Sequence, residues 1–133
     1  MKCYMLDTDT SSYIIRNRPE SVRVRFGKLD SSQLCISVIT HAELLYGVKS
    51  AASSRTIRPA VEDFVRRLTV LDWDSTAAEH YADIHTKLEA GGTPIGNMDM
   101  LIAAHARSVS AVLVTNNEKH FRRVSALTVE NWV

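Results

Sequence analysis

The stretch CYMLDTDTSSY (residues 3–13) joins a short apolar run to two aspartates and a row of hydroxyl residues. The apolar run predicts a buried strand over Cys3–Leu6, and a helix is predicted over Ser11–Arg18, ending at a proline. Asp7 then lies at the carboxyl end of the first strand, whereas Asp9 is better placed to cap the helix. A strand followed at once by a helix is the unit from which α/β folds are built.

The rest of the chain repeats this alternation. Further strands are predicted over Leu34–Val38, Thr69–Trp73, Ala111–Thr115 and, at an edge, Leu127–Val129. Further helices are predicted over Pro19–Lys28, Thr40–Lys49, Ile57–Leu68, Thr76–Ala90 and Met98–Val109, with a polar turn at residues 49–55. Strands separated by helices imply a parallel sheet covered on both faces. At 133 residues the sequence is expected to form one domain, residues 1–133.

Composition and charge exclude several classes of protein. Hydrophobic residues make up 45% of the chain and charged residues 23%, which is typical of globular domains and argues against disorder. The net charge of +1 argues against a protein that coats nucleic acid nonspecifically. The apolar runs are far shorter than the ~20 residues of a membrane span, and the N-terminal run is too short for a signal peptide. A cytoplasmic protein without membrane contact is expected, with Cys3 and Cys35 reduced.

The predicted fold brings three acidic residues together. Asp7 ends the first strand, Glu43 fits a capping box with Thr40, and Asp99 lies in the first turn of a helix that Asn97 is placed to cap. Each position also suits an ordinary structural acid. However, parallel strands bring their carboxyl ends to one edge of the sheet, where sites form. Three carboxylates gathered there repel one another unless a cation lies among them, and oxygen ligands suit Mg²⁺.

The segment TNNEKHF (residues 115–121) follows the fourth predicted strand and reaches the same edge. Thr115 and Asn117 can support a site there, because an asparagine offers a carbonyl oxygen to a ligand although it cannot act as a general base. Lys119, Arg122 and Arg123 form a basic cluster beside them. Such a cluster is either a solvated surface or a contact for a phosphate backbone.

These motifs, in this order, resemble the PIN-domain ribonucleases. The matching stretches are YMLDT (residues 4–8), SVITHAELLYG (37–47), PIGNMDMLIAAHA (94–106) and LVTNNEKHFRRV (113–124), and the likeness extends to the terminal ENWV. It is closest to the VapC-type toxins of toxin–antitoxin pairs. The resemblance implies an α/β/α sandwich with a parallel sheet of about five strands and a metal-dependent endoribonuclease activity.

The resemblance also implies site residues. Asp7, Glu43 and Asp99 match the family's acidic positions and would hold Mg²⁺ or Mn²⁺. The family commonly has a fourth acid where this chain has Asn117, so a tightly held second metal is in doubt. Asp9 stands where close relatives often have asparagine and could restore part of the missing charge.

Partners follow from the same resemblance. The family implies homodimers and a VapB-like antitoxin whose C-terminal segment blocks the acidic pocket. DNA is contacted through the antitoxin, and the substrate is structured RNA such as a tRNA or a ribosomal RNA loop, cut by in-line hydrolysis. Lys119, Arg122 and Arg123 would bind the RNA backbone.

Two other functions remain as alternatives at this point. The Asp7–Asp9 pair fits the nucleophile loop of haloacid dehalogenase-like phosphatases, with Ser37 as a hydroxyl residue, but a late acid pair after a strand is missing. A receiver-like signalling domain would use Asp72 in the third strand, but the bulky neighbour Trp73 suits an exposed phosphoacceptor poorly. Neither alternative accounts for Glu43.

Overall fold

Five parallel strands form the centre of the computed structural model, which describes residues 2–52 and 54–133. The strands are β1 (Tyr4–Leu6), β2 (Leu34–Ser37), β3 (Thr69–Leu71), β4 (Val112–Val114) and β5 (Val129–Glu130). Their order across the sheet is β3-β2-β1-β4-β5, and each neighbouring pair is parallel. The predicted parallel sheet of five strands is confirmed, with shorter strands than the sequence indicated.

Seven α-helices flank the sheet within the described residues. They are α1 (Thr8–Ile15), α2 (Glu20–Gly27), α3 (Val38–Ser50), α4 (Ser54–Arg66), α5 (Ser75–Ala90), α6 (Asn97–Ser108) and α7 (Glu118–Phe121), with a 3₁₀ turn at Ser31–Gln33. The short helix α7 was not predicted. The predicted turn between α3 and α4 includes Ser53, which lies outside the described residues. Within those residues, no helix is both long enough and apolar enough to cross a membrane.

The sheet separates two apolar clusters, one on each face. Successive side chains of a strand point to opposite faces, so Leu6 packs in the cluster beneath α1 to α4 and Met5 packs in the cluster beneath α5 and α6. All three residues of the central strand β1 are buried. This sandwich confirms the predicted α/β/α arrangement and fixes the carboxyl end of β1 at the middle of the sheet edge.

The helix caps on the first face differ from the prediction. Asp7 caps α1, because its Oδ1 accepts a hydrogen bond of 2.8 Å from the Thr10 amide, so the assignment of this cap to Asp9 was wrong. Ser37 caps α3 through the Ile39 amide at 3.1 Å, so the predicted Thr40–Glu43 capping box was wrong too. In both places strand and helix are joined without a loop, and the last polar residue of the strand end becomes the cap.

The caps on the other face show the same displacement toward the N-terminus. Asp74 caps α5 through the Ala77 amide at 3.1 Å, not the predicted pair of Thr76 and Glu79. Gly96 occupies the cap position of α6, and Asn97, the predicted cap, is its first helical residue. Helices α5 and α6 therefore each begin one residue earlier than predicted, which leaves Asp99 within the first turn of α6.

Candidate active site

Asp7 is a buried carboxylate at the carboxyl end of the central strand. Its side chain is held by the Thr10 amide and by the Thr115 hydroxyl, and only 4% of the residue is exposed. Burial raises the pKa of Asp7 to about 6, although both hydrogen bonds favour the charged form and lower it. At neutral pH Asp7 is therefore charged, although its burial disfavours the charge. The fold itself requires only a helix cap at this position.

Glu43 is joined to the same strand end by a hydrogen bond. It lies in the second turn of α3 and accepts a hydrogen bond of 2.5 Å from the Thr8 hydroxyl. Thr8 directly follows Asp7, and its oxygen also lies 3.3 Å from the Thr40 hydroxyl. The β1–α1 junction therefore contains the carboxylate of Asp7 and, through Thr8, orients the carboxylate of Glu43.

Asp99 enters from the opposite face of the sheet. It is half-buried, and its pKa is raised first by desolvation and then by the negative charges of Glu43 and Asp9. Asp9 acts on Asp7 in the same way, since its charge also raises the pKa of Asp7. The predicted acids Asp7, Glu43 and Asp99 are thus brought to one edge, with Asp9 contributing charge and not a cap.

The four carboxylates, those of Asp7, Asp9, Glu43 and Asp99, lie outside the ion pairs of the described residues. Among residues 2–52 and 54–133, none of them forms an ion pair with a lysine, an arginine or a histidine. In the same residues, no group of three or more histidine, cysteine and acidic side chains is arranged to hold a metal ion. The donor set still fits a hard divalent cation, since carboxylate oxygens are its preferred ligands and a cation would relieve their mutual repulsion. Ligation would require the side chains to move closer together.

The segment after β4 forms the remaining wall of this edge. The buried Thr115 hydroxyl accepts a hydrogen bond of 2.9 Å from the Asn117 amide while it donates to Asp7. The Asn117 side-chain nitrogen lies 2.8 Å from Nδ1 of His120. His120 in turn lies close enough to Asp99 to lower the pKa of that carboxyl. His120 was not among the predicted site residues, although it stands within the TNNEKHF segment.

The predicted basic cluster lies in α7 and the residues directly after it, and two of its members contact other groups of the chain. Arg122 forms an ion pair with Glu118 at 2.7 Å, and Arg123 donates a hydrogen bond of 3.0 Å to the carbonyl of Pro94. Lys119 is exposed and, in the part of the chain that the structure describes, forms no ion pair. Among the three, Lys119 is therefore the residue most available to a ligand.

The geometry disfavours the two alternative functions. Ser37 caps α3 and lies 2.6 Å from Nδ1 of the buried His105, so its hydroxyl is occupied within the core instead of facing a phosphate. In a receiver-like sheet of order 2-1-3-4-5 the third strand lies at the centre, whereas β3 is an edge strand here and Asp72 follows it.

Comparison with known proteins gives relatives over the whole chain. The family model for the PIN domain matches residues 4–127. The tRNA(fMet)-specific endonuclease VapC of Salmonella typhimurium is 43% identical over 129 residues, which cover 97% of both chains. The ribonuclease VapC2 of Haemophilus influenzae is 43% identical over 130 residues, which cover 98% of both chains.

Solved structures show the same relationship. The DNA-bound VapBC of Salmonella typhimurium superposes with a TM-score of 0.93 at 43% identity and full coverage of both chains. VapBC2 of Rickettsia felis, bound to a DNA fragment from its promoter, gives a TM-score of 0.92 at 37% identity and covers 98% of this chain and 99% of its own. With the family model, the relatives and the fold in agreement, the chain belongs to the PIN-domain family, in the group of VapC proteins.

Proposed function

We propose that this chain is a metal-dependent endoribonuclease toxin that a VapB-like antitoxin neutralises. The observation that carries the proposal is the set of four carboxylates at the carboxyl edge of the sheet, none of which has a basic partner among the described residues. The relatives named as endonuclease and ribonuclease VapC support RNA as the substrate. The name of the Salmonella relative makes tRNA the first substrate to test.

Asp7 and Asp99 would hold Mg²⁺ or Mn²⁺, with Glu43 as a further ligand or as the acceptor that orients the attacking water. When bound, the metal would neutralise charge on the phosphodiester and make the water more acidic. Asp7 is fixed by its bonds to Thr10 and Thr115, so its carboxylate keeps one direction. Glu43 is directed by Thr8, which leaves its other oxygen available to a water.

Thr8→Val tests this orientation of Glu43. Valine has nearly the shape of threonine but lacks the hydroxyl that donates to Glu43. We expect RNA cleavage to slow about 10- to 100-fold, as is usual when a residue that orients a metal ligand is replaced. Single-turnover cleavage of one RNA measures the rate. Thr8→Ser keeps the donor and should retain most of the activity, whereas equal rates for Thr8→Val and the unsubstituted chain would contradict the orienting role.

A groove beside the acids supports the antitoxin as a partner. It has a volume of about 240 Å³ and lies between α1, α3 and α4, with Thr8 and Glu43 at one end. Its apolar lining is formed by Ile15, Leu44, Val48, Ile57 and Val61. An apolar antitoxin segment would fill this groove and carry a basic side chain to Glu43. Blocking of the acidic edge would follow directly from binding.

The proposal also includes DNA contact through the antitoxin and a dimer of this chain. Neighbours of known structure include VapBC complexes, two of which are bound to DNA, so DNA contact through the antitoxin is proposed for this chain as well. A homodimer is proposed too. Tyr46, 73% exposed on α3, and the neighbouring exposed Leu45 provide apolar surface that a second copy could cover.

Cleavage of a total small-RNA pool and of purified tRNA(fMet) tests the activity. The chain is incubated with Mg²⁺, with Mn²⁺ and with a chelator, alongside the Asp99→Asn variant. We expect discrete cuts that need the metal and disappear in the variant, because the loss of the Asp99 charge removes one ligand. End-sequencing identifies the cut site. Cleavage that persists in chelator, or that Asp99→Asn leaves unchanged, would contradict the proposal.

A further inference from the structure

The segment after β4 carries an imidazole that the proposed chemistry has not used. His120 is half-buried in α7, one turn after Asn117, at the edge of the sheet where the acids lie. Its Nδ1 lies 2.8 Å from the side-chain nitrogen of Asn117. An amide nitrogen can only donate, so Nδ1 is the acceptor and the ring carries its hydrogen on Nε2. Asn117 thereby fixes both the direction of the ring and the position of its free donor.

His120 lies beside the acidic site. It lies near Asp99, since a protonated imidazole there lowers the pKa of that carboxyl, which desolvation raises first and the charges of Glu43 and Asp9 raise further. Asn117 is itself anchored to the site, since its backbone amide donates to the Thr115 hydroxyl that holds Asp7. A continuous series of hydrogen bonds thus runs from the buried Asp7 to the imidazole.

Of the other basic groups of this segment, the two arginines cannot fill the same place without breaking contacts, whereas Lys119 is exposed and, in the described residues, forms no ion pair that would orient it. Arg122 is paired with Glu118, and Arg123 is bonded to Pro94 on the α5–α6 connection. An anionic substrate that enters a cluster of carboxylates needs a donor close to the acids. Among the basic side chains in α7 and the residues directly after it, only His120 is both held by a neighbouring side chain and close to Asp99.

We infer that His120, oriented by Asn117, is a substrate-binding residue of the acidic site, where its Nε2–H donates to a phosphate oxygen of the bound RNA next to Asp99. This inference rests on the proposed ribonuclease function and adds the residue that holds the phosphate. It also gives Asn117 a role different from that of a metal ligand: its amide positions the imidazole.

Cleavage kinetics of one identified RNA test the inference in metal-loaded enzyme. His120→Ala should lower kcat/KM about 10- to 100-fold, the usual effect of losing one hydrogen bond to a charged group. His120→Gln keeps a donor near the Nε2 position and should recover part of the loss. The control is His85→Ala, since His85 is also half-buried but lies on α5, where it contacts Glu89.

RNA binding supplies a second readout that does not depend on turnover. In an Asp7→Asn background, which removes cleavage, His120→Ala should weaken binding of the same RNA about 10-fold without lowering the melting temperature. Equal cleavage and equal binding for His120→Ala and the unsubstituted residue would overturn the inference while leaving the ribonuclease intact. A chain that cuts no RNA in any metal would overturn the proposed function and this inference with it.

Discussion

Asp7→Asn loses RNA cleavage while the chain stays folded. We expect the rate to fall about 100- to 1,000-fold, the usual consequence of removing one preorganised electrostatic group from an active site. The fold should survive because asparagine is as good a helix cap as aspartate, and its carbonyl oxygen can still accept from the Thr10 amide. The substitution therefore separates the charge of Asp7 from its structural contact.

Single-turnover cleavage and far-ultraviolet circular dichroism measure the two properties on the same preparation. Asp30→Asn is the matched control, since Asp30 caps the 3₁₀ turn before β2, at the opposite edge of the sheet. This control should cleave normally. If Asp7→Asn cleaved as fast as the control, the assignment of Asp7 to the site would be wrong.

The same substitution should stabilise the metal-free protein at neutral pH. Asp7 is almost fully buried, and its pKa is raised from 3.8 to about 6. The folded state therefore binds the proton more tightly than the unfolded state, and the free energy of unfolding falls as pH rises through this interval. By this linkage Asp7→Asn should gain up to about 3 kcal/mol at pH 7, and the gain should vanish below about pH 4.

Urea unfolding from pH 4 to pH 8 in the presence of a chelator measures this difference. Asp83→Asn is an informative control because the hydrogen bond from Arg107 lowers the pKa of Asp83. Loss of the Asp83 charge should therefore destabilise the protein at neutral pH. The two substitutions should thus change the free energy of unfolding at neutral pH in opposite directions. A variant at Asp7 that is less stable than the parent chain at pH 7 and equal to it at pH 4 would contradict the account.

Strand and helix order could be read from the sequence because each element has its own hydrophobic period. The alternation of short apolar runs with helical patterns is sufficient to predict a parallel sheet with helices on both faces. The helix starts could not be placed, because Asp7 and Ser37 cap helices directly where the preceding strand ends, and Asp74 caps α5 three residues after β3. The sequence pattern predicts the cap next to the first apolar residue of the helix. It therefore assigns the cap to a hydroxyl residue or an acid that lies later in the chain than the observed cap.

The acids of the site could be predicted because topology alone brings their positions to one edge. Asp7, Glu43 and Asp99 are far apart in sequence, yet Asp7 follows a strand that ends at this edge, and the other two lie in the first two turns of helices that begin there. Their partners could not be predicted in the same way. The bonds from Thr8 to Glu43 and from Asn117 to His120 depend on how two segments face each other, and no periodicity in the sequence records that.

Binding of Mn²⁺ by calorimetry tests most directly whether the acidic edge is one metal site. The titration compares the unsubstituted chain with Asp7→Asn, Asp99→Asn and the control Asp30→Asn, all at pH 7 and without RNA. We expect saturable binding to the unsubstituted chain and to the control, and a marked loss of affinity in both site variants. Binding of equal affinity in all four proteins would contradict this expectation, because the carboxylates of Asp7 and Asp99 would then not be the ligands.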